Sequence, residues 1–111
     1  MIRIGIDAMG GDFAPNNVIL GAIEAYSYIN ADTKIFLIGD EKKITEVCQH
    51  YGIDSGNFVI VHAPETIEMG EHPVRAFRKK KKSSLVIGFN MLAEGKIDVL
   101  ASAGNTGAML A

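Results

Sequence analysis

The feature that most constrains the fold is an alternation of short, β-branched segments with longer amphipathic ones. Four segments have the character of strands, at 2–6, 34–38, 58–61 and 99–102, and helical apolar spacing lies between them. Parallel strands need a crossover connection, and right-handed crossovers pack helices onto the sheet. The sequence therefore predicts an α/β fold, a three-layer α/β/α sandwich with a mostly parallel sheet.

The helices have readable ends and apolar faces. Pro15 is suited to the first turn of the first helix, and Pro73 to that of a short third one. The expected caps and stops of the other helices are Asp40, Gly52, Ser83 or Ser84, and Gly95. The residues predicted to face the core are Val18, Ala22, Ile23, Tyr26 and Ile29, then Ile44, Val47, Cys48 and Tyr51, then Val74 and Phe77, and last Leu85, Phe89 and Leu92.

Composition excludes several classes of protein. With 48% hydrophobic and 22% charged residues, the chain is ordinary for a globular domain, and a net charge of -2 gives no basic field for nucleic acid. Cys48 has no internal disulfide partner, the first residues have no signal-peptide layout, and every apolar stretch is too short to cross a bilayer. We expect a cytoplasmic protein whose membrane contact, if any, is peripheral. The three histidines are too scattered for a zinc pattern, so no metal site is predicted.

Three loops follow predicted strands, after Ile6, Val61 and Ser102. In parallel sheets ligands bind at the carboxyl ends of strands, so these loops are expected to share one site. The turn at 102–107 offers glycines, short polar side chains and a helix start, which suit either an anion or an empty tight turn equally well. It is neither a Walker loop nor a GxGxxG motif, so a nucleotide is not the expected ligand.

Charged residues flank this edge. Asp7 and Asp12 lie on a glycine-containing turn, where they either cap the turn or orient nearby groups rather than touch an anion, because carboxylates repel phosphate. The basic run at 78–82 is either a solvated surface or a patch for phosphate or an acidic carrier protein. Cys48, on an apolar helix face, is expected to be a core residue rather than a nucleophile.

The order and spacing of these motifs resemble one family. The segments that carry the resemblance lie at 6–15, 39–41, 62–65, 67–69 with Pro73, 78–84 and 102–107. Together they resemble the PlsX-type phosphate acyltransferase family through all 111 residues, and members of that family are considerably longer. The chain is thus expected to be the N-terminal part, 1–111, of a single truncated phosphate acyltransferase domain.

The resemblance implies a fold similar to the isopropylmalate dehydrogenase/phosphotransacetylase superfamily and a homodimer without a cofactor. It implies transfer of an acyl group from acyl-[acyl-carrier protein] to inorganic phosphate for phospholipid synthesis, in the cytoplasm or peripherally on the membrane through regions absent here. The positions implied in substrate or phosphate binding are Asp7, Gly10, Gly11, Asp12, Ser83, Ser84, Ser102, Gly104 and Gly107. Those implied in catalysis are Lys80, Lys81, Asn105 and Thr106.

Because phosphate attacks a thioester directly, such a site needs an anion cradle and donors for the oxyanion rather than a protein nucleophile. We expect the backbone around 104–107, with Asn105 and Thr106, to hold phosphate, and Lys80 or Lys81 to support charge or meet the carrier. Two alternatives stay open: a non-catalytic fragment or anion-binding module that needs the missing part, and a dehydrogenase-like nucleotide binder, which rests on fold analogy alone.

Overall fold

The computed structural model describes residues 1–10, 14–26, 32–67 and 73–102, apart from the side chains of Pro73 and Phe77. Strands and helices alternate through these ranges. In chain order they are β1 (Ile2–Asp7), α1 (Asn16–Tyr26), β2 (Thr33–Gly39), α2 (Glu41–His50), β3 (Val59–His62), α3 (Pro73–Lys79), α4 (Ser84–Ala93) and β4 (Val99–Ala101). A single 3-10 turn, Ser55–Asn57, precedes β3 and was not predicted.

The four strands form one parallel sheet in the order β3-β2-β1-β4. Ile4 pairs with Ile35 of β2 on one side and with Val99 of β4 on the other. The predicted parallel sheet flanked by helices is therefore confirmed.

Alternate residues of β2 divide the core between the two faces of the sheet, since successive side chains of a strand point to opposite sides. Ile35 and Leu37 pack in a cluster with the buried residues of α1 and α2. Ile38, on the opposite face, packs in a cluster with Met91 of α4. Helices α1 and α2 therefore cover one face and α4 covers the other.

Local chemistry fixes the helix ends as expected. The Asp40 carboxylate caps α2 by accepting from the Lys43 N–H at 3.2 Å, and the Ser83 hydroxyl caps α4 by accepting from the Val86 N–H at 3.2 Å. Gly52 and Gly95 follow these helices with φ of +69° and +74°, a conformation that favours glycine.

Four residues predicted to face the core are exposed instead, and a fifth, Ile29, lies outside the described residues. Tyr26, the last residue of α1, is 41% exposed. Tyr51 is 44% exposed because it lies just past the end of α2. Val74 is 39% exposed, and among the described side chains of α3 the buried one is Ala76. Leu92 is 36% exposed because α4 is apolar on nearly all sides, so its sequence does not define one inward face, and Met91 points to the sheet.

Candidate functional site at the carboxyl edge of the sheet

The strand order places a reversal point between β1 and β4. The chain moves outward from β1 to β2 and β3, then returns to the opposite side of β1. In open parallel sheets, the crevice at the carboxyl ends of strands flanking such a reversal is the usual ligand site. Asp7 ends β1 and Ser102 follows β4, so both lie at this position.

Asp7 gathers hydrogen bonds from three parts of the chain. Its Oδ1 accepts from the Met9 N–H at 3.1 Å and from the Ser84 hydroxyl, and its Oδ2 accepts from the Ser102 hydroxyl at 2.8 Å. Asp7 is 4% exposed and Ser84 2% exposed. Since buried carboxylates need donors, this arrangement satisfies Asp7 with neutral groups and ties the β1 turn, the start of α4 and the end of β4 together.

The start of α4 is also joined to the loop that follows β3. The Ser84 N–H donates to the Glu65 carbonyl at 3.2 Å, and the Glu65 N–H donates to the Lys82 carbonyl at 3.2 Å. The Glu65 carboxylate then accepts from the Lys82 N–H at 3.0 Å. The loops that follow β1 and β3 thus meet at the start of α4, together with Ser102, while the predicted third loop after Ser102 lies outside the described residues.

The two lysines predicted to act in catalysis differ in their surroundings. The Lys80 ammonium donates to the Thr66 carbonyl at 2.8 Å in a partly buried position, so it holds the loop after β3. Lys81 is exposed and, with Arg78, Val86 and Asn90, lines a cavity of about 560 Å³. Of these two lysines, Lys81 is exposed to solvent and Lys80 is half-buried.

The remaining predicted positions divide between described and undescribed residues. Gly10 is buried, and its N–H donates to the Asp7 carbonyl at 3.3 Å, which closes the turn after β1. Six predicted site residues lie outside the described residues: Gly11, Asp12, Gly104, Asn105, Thr106 and Gly107.

Other reactive groups are used structurally. Cys48 is fully buried in the α1–α2 cluster, and this burial raises the pKa of its thiol, which disfavours the nucleophilic thiolate. The His62 imidazole accepts from the Glu41 N–H at 3.2 Å through Nδ1, joining β3 to the start of α2. Within the described ranges, no three His, Cys, Asp or Glu side chains are grouped to hold a metal ion, and no helix is both long and apolar enough to cross a membrane.

The bonds from Asp7 to Ser84 and Ser102 were not predicted as contacts, because 77 and 95 residues separate the partners. The sequence indicated Glu65 only as part of the segment 62–65, and its contacts at the start of α4 were not predicted. The sequence feature that could have indicated these contacts was position, since each residue lies directly after a strand or at a helix start, at one edge of a parallel sheet.

Comparison with known proteins bears on the same segment. The family model described as "Fatty acid synthesis protein" matches residues 2–111. The chain is 46% identical over 112 residues to a phosphate acyltransferase of Desulforamulus reducens, covering 100% of this chain and 32% of that protein. It is 43% identical to the phosphate acyltransferase of Dictyoglomus turgidum and 42% identical to that of Listeria monocytogenes, each over 98% of this chain. The chain spans about a third of the length of these curated relatives.

Proposed function

Because the chain belongs to the fatty acid synthesis protein family, whose relatives of this chain are named phosphate acyltransferases, we propose that it forms part of an acyltransferase acting on inorganic phosphate. The acyl donor in this proposal is acyl-[acyl-carrier protein], and the product is an acyl phosphate for phospholipid synthesis. The observation that carries the proposal is the Asp7 cluster, the buried contact of Asp7 with Ser84 and Ser102 at the reversal point of the sheet.

In the proposed reaction a phosphate oxygen attacks the thioester carbonyl carbon. A carbon–oxygen bond forms, the carbon–sulfur bond breaks, and the proton lost by phosphate accompanies the sulfur that leaves as the carrier thiol. Such a reaction needs orientation and charge stabilisation rather than a protein nucleophile. This matches an edge where neutral donors satisfy Asp7, and a chain whose one cysteine, Cys48, is buried in the core.

The remaining roles follow the sequence prediction. The turn at 104–107, with Asn105 and Thr106, would cradle phosphate directly after Ser102. The exposed ammonium of Lys81, beside Arg78, would meet the acidic carrier, whereas Lys80 would position the loop through Thr66. Homodimer formation, a cytoplasmic location and peripheral membrane association through other regions belong to the same proposal.

The principal test is an assay of the full-length protein that carries this segment. With acyl-[acyl-carrier protein] and phosphate, we expect acyl phosphate, trapped by hydroxylamine as the hydroxamate, in equal amount to the released carrier thiol. The double variant Asn105→Ala/Thr106→Ala is expected to raise the KM for phosphate. If thiol release did not depend on the phosphate concentration and yielded free fatty acid, the protein would be a thioesterase and the proposal would be overturned.

A second candidate role rests on coverage, because the chain spans about a third of the length of its relatives. In this role the isolated 111 residues are a non-catalytic, anion-binding module that needs further chain for turnover. The same assay on the isolated chain, together with phosphate titration by calorimetry, distinguishes the two roles. Phosphate binding without turnover is the expected result for the module.

A further inference from the structure

The hydroxyl of Ser102 has one proton, which it donates in a hydrogen bond to the Asp7 carboxylate. Ser102 Oγ lies 2.8 Å from Asp7 Oδ2, and a carboxylate accepts hydrogen bonds but has none to give. Any other hydrogen bond that the Ser102 oxygen makes is therefore made as an acceptor. Ser102 is also the half-buried member of the cluster, whereas Asp7 and Ser84 are almost fully buried.

The orientation of Asp7 is fixed by its other oxygen. Oδ1 accepts from the Met9 N–H at 3.1 Å, a backbone donor whose direction cannot reverse, and from the Ser84 hydroxyl. Because Oδ1 is held on this side, Oδ2 stays directed at Ser102. The acceptor character of Ser102 is thus set by the fold rather than chosen by the ligand.

From this geometry we propose that Ser102, positioned by Asp7, selects an oxyanion that still carries a proton and so admits phosphate while rejecting sulfate. The inference rests on the proposed function, which brings phosphate to the carboxyl end of β4. At neutral pH inorganic phosphate retains a P–OH that donates to the Ser102 oxygen. Sulfate has no proton, so one of its oxygen lone pairs would face the Ser102 oxygen, which is also an acceptor. Two facing acceptors repel, and this repulsion discriminates strongly against sulfate relative to phosphate.

The first experiment measures phosphate and sulfate binding to the full-length protein by calorimetry, with sulfate also tested as a competitor of acyl phosphate formation. We expect phosphate to bind about 100-fold more tightly than sulfate, since sites that match a donor to an acceptor reject analogues lacking the donor. Arsenate, which keeps a proton at neutral pH, should follow phosphate. Sulfate affinity within about threefold of phosphate affinity would overturn the inference.

The sharpest variant is Asp7→Asn. The Met9 N–H still requires an acceptor, so the amide oxygen stays at the Oδ1 position and the amide N–H₂ turns to Ser102. The Ser102 oxygen then accepts from the amide and its proton is free to point at the ligand. The ratio of sulfate to phosphate dissociation constants should fall at least about tenfold, chiefly through tighter sulfate binding.

Ser102→Ala tests the same point with Asp7 retained, in case Asp7→Asn fails to fold by circular dichroism. Removing the acceptor should weaken phosphate binding and, because the repelling lone pair is gone, tighten sulfate binding, so the ratio again falls. An unchanged ratio in either folded variant contradicts the inference.

Ser84→Ala is the matched control, because it removes a donor from Oδ1 and leaves the bond between Oδ2 and Ser102 in place. It should lower the unfolding midpoint without altering the ratio of the two dissociation constants. A cluster that served only stability would instead leave the ratio unchanged in all three variants. Phosphate-dependent turnover with equal affinity for the two anions overturns this inference alone, whereas absence of both turnover and phosphate binding overturns it together with the proposed function.

Discussion

Two carboxylates join β1 to β4, one near each end of the strand pair, and both bridge 95 residues of sequence. At the amino end Asp98 accepts from the Arg3 N–H at 2.8 Å and from its guanidinium at 3.1 Å. At the carboxyl end Asp7 accepts from Ser102, Ser84 and Met9. The first contact joins opposite charges at the surface, and the second buries a charge among neutral donors.

The two contacts differ in whether water can hydrate a residue whose partner is removed. The Arg3 and Asp98 side chains are 35% and 43% exposed, so water hydrates either partner when the other is removed. Asp7 is 4% exposed, so loss of a partner there leaves a buried polar group without one. The buried contact, which joins the β1 turn, the start of α4 and the end of β4, is thus expected to contribute far more to stability than the charged one.

The largest expected effect is that of Asp7→Ala. It removes the acceptor for two hydroxyls and one backbone N–H, and we expect a loss of about 3 kcal/mol in the free energy of unfolding. Phosphate-dependent turnover should fall with it, because the β1 turn, the start of α4 and the end of β4 lose their common partner. Urea unfolding and the hydroxamate assay measure these effects.

Asp98→Ala is the control for that variant at the other end of the strand pair. Its unfolding midpoint should stay close to that of the wild type, since the remaining Arg3 is hydrated. Equal destabilisation by the two variants would contradict the comparison.

The coupling energies should differ in the same direction. A double-mutant cycle on Asp7 and Ser84 is expected to give a coupling of about 1–2 kcal/mol that does not respond to salt. A cycle on Arg3 and Asp98 should give a coupling that disappears at about 0.5 M salt, because exposed charges are screened. Salt-sensitive coupling at Asp7 would mean that the cluster is open to water.

Ser83→Ala separates helix capping from the long-range contact. The Ser83 hydroxyl accepts from the Val86 N–H, so its loss should cost about 1 kcal/mol, as for other helix N-caps. Asp40→Ala, which removes the cap of α2, should cost a similar amount. Of these two, only Ser83→Ala is expected to raise the KM for phosphate, since Ser83 adjoins the residue bound to Asp7.

The smallest effect is a pH dependence at Asp98. Its hydrogen bond from the Arg3 side chain, and next that from the Arg3 N–H, hold the pKa of the Asp98 carboxyl below its usual range. A lowered folded-state pKa contributes stability above the unfolded-state value of about 4, and this contribution is lost as the pH falls through the folded-state value. The difference in unfolding midpoint between wild type and Asp98→Asn should therefore be present at neutral pH and vanish on acidification.

Much of the fold was predictable because it depends on short-range chemistry. The helix stops at Gly52 and Gly95 and the cap at Asp40 follow from backbone conformation and from donors within three residues. The faces of α4 were not predictable in the same way, because a helix apolar on nearly all sides gives no single direction, and Leu92 was wrongly placed inward. The sequence predicted which polar residues follow the strands at the carboxyl edge, but not which residues they contact.

The sequence by itself determined the strands and the helix ends, because these depend on neighbouring residues and on period. Only the tertiary structure decided that β4 lies beside β1, since backbone ladder hydrogen bonds do not distinguish one strand edge from another. Packing made that selection. Gly88 lets α4 approach β4 so closely that a Cβ there would lie 2.8 Å from Leu100 Cδ1. With β4 in that place, Ser102 reaches Asp7, and the buried cluster of the proposed site is formed.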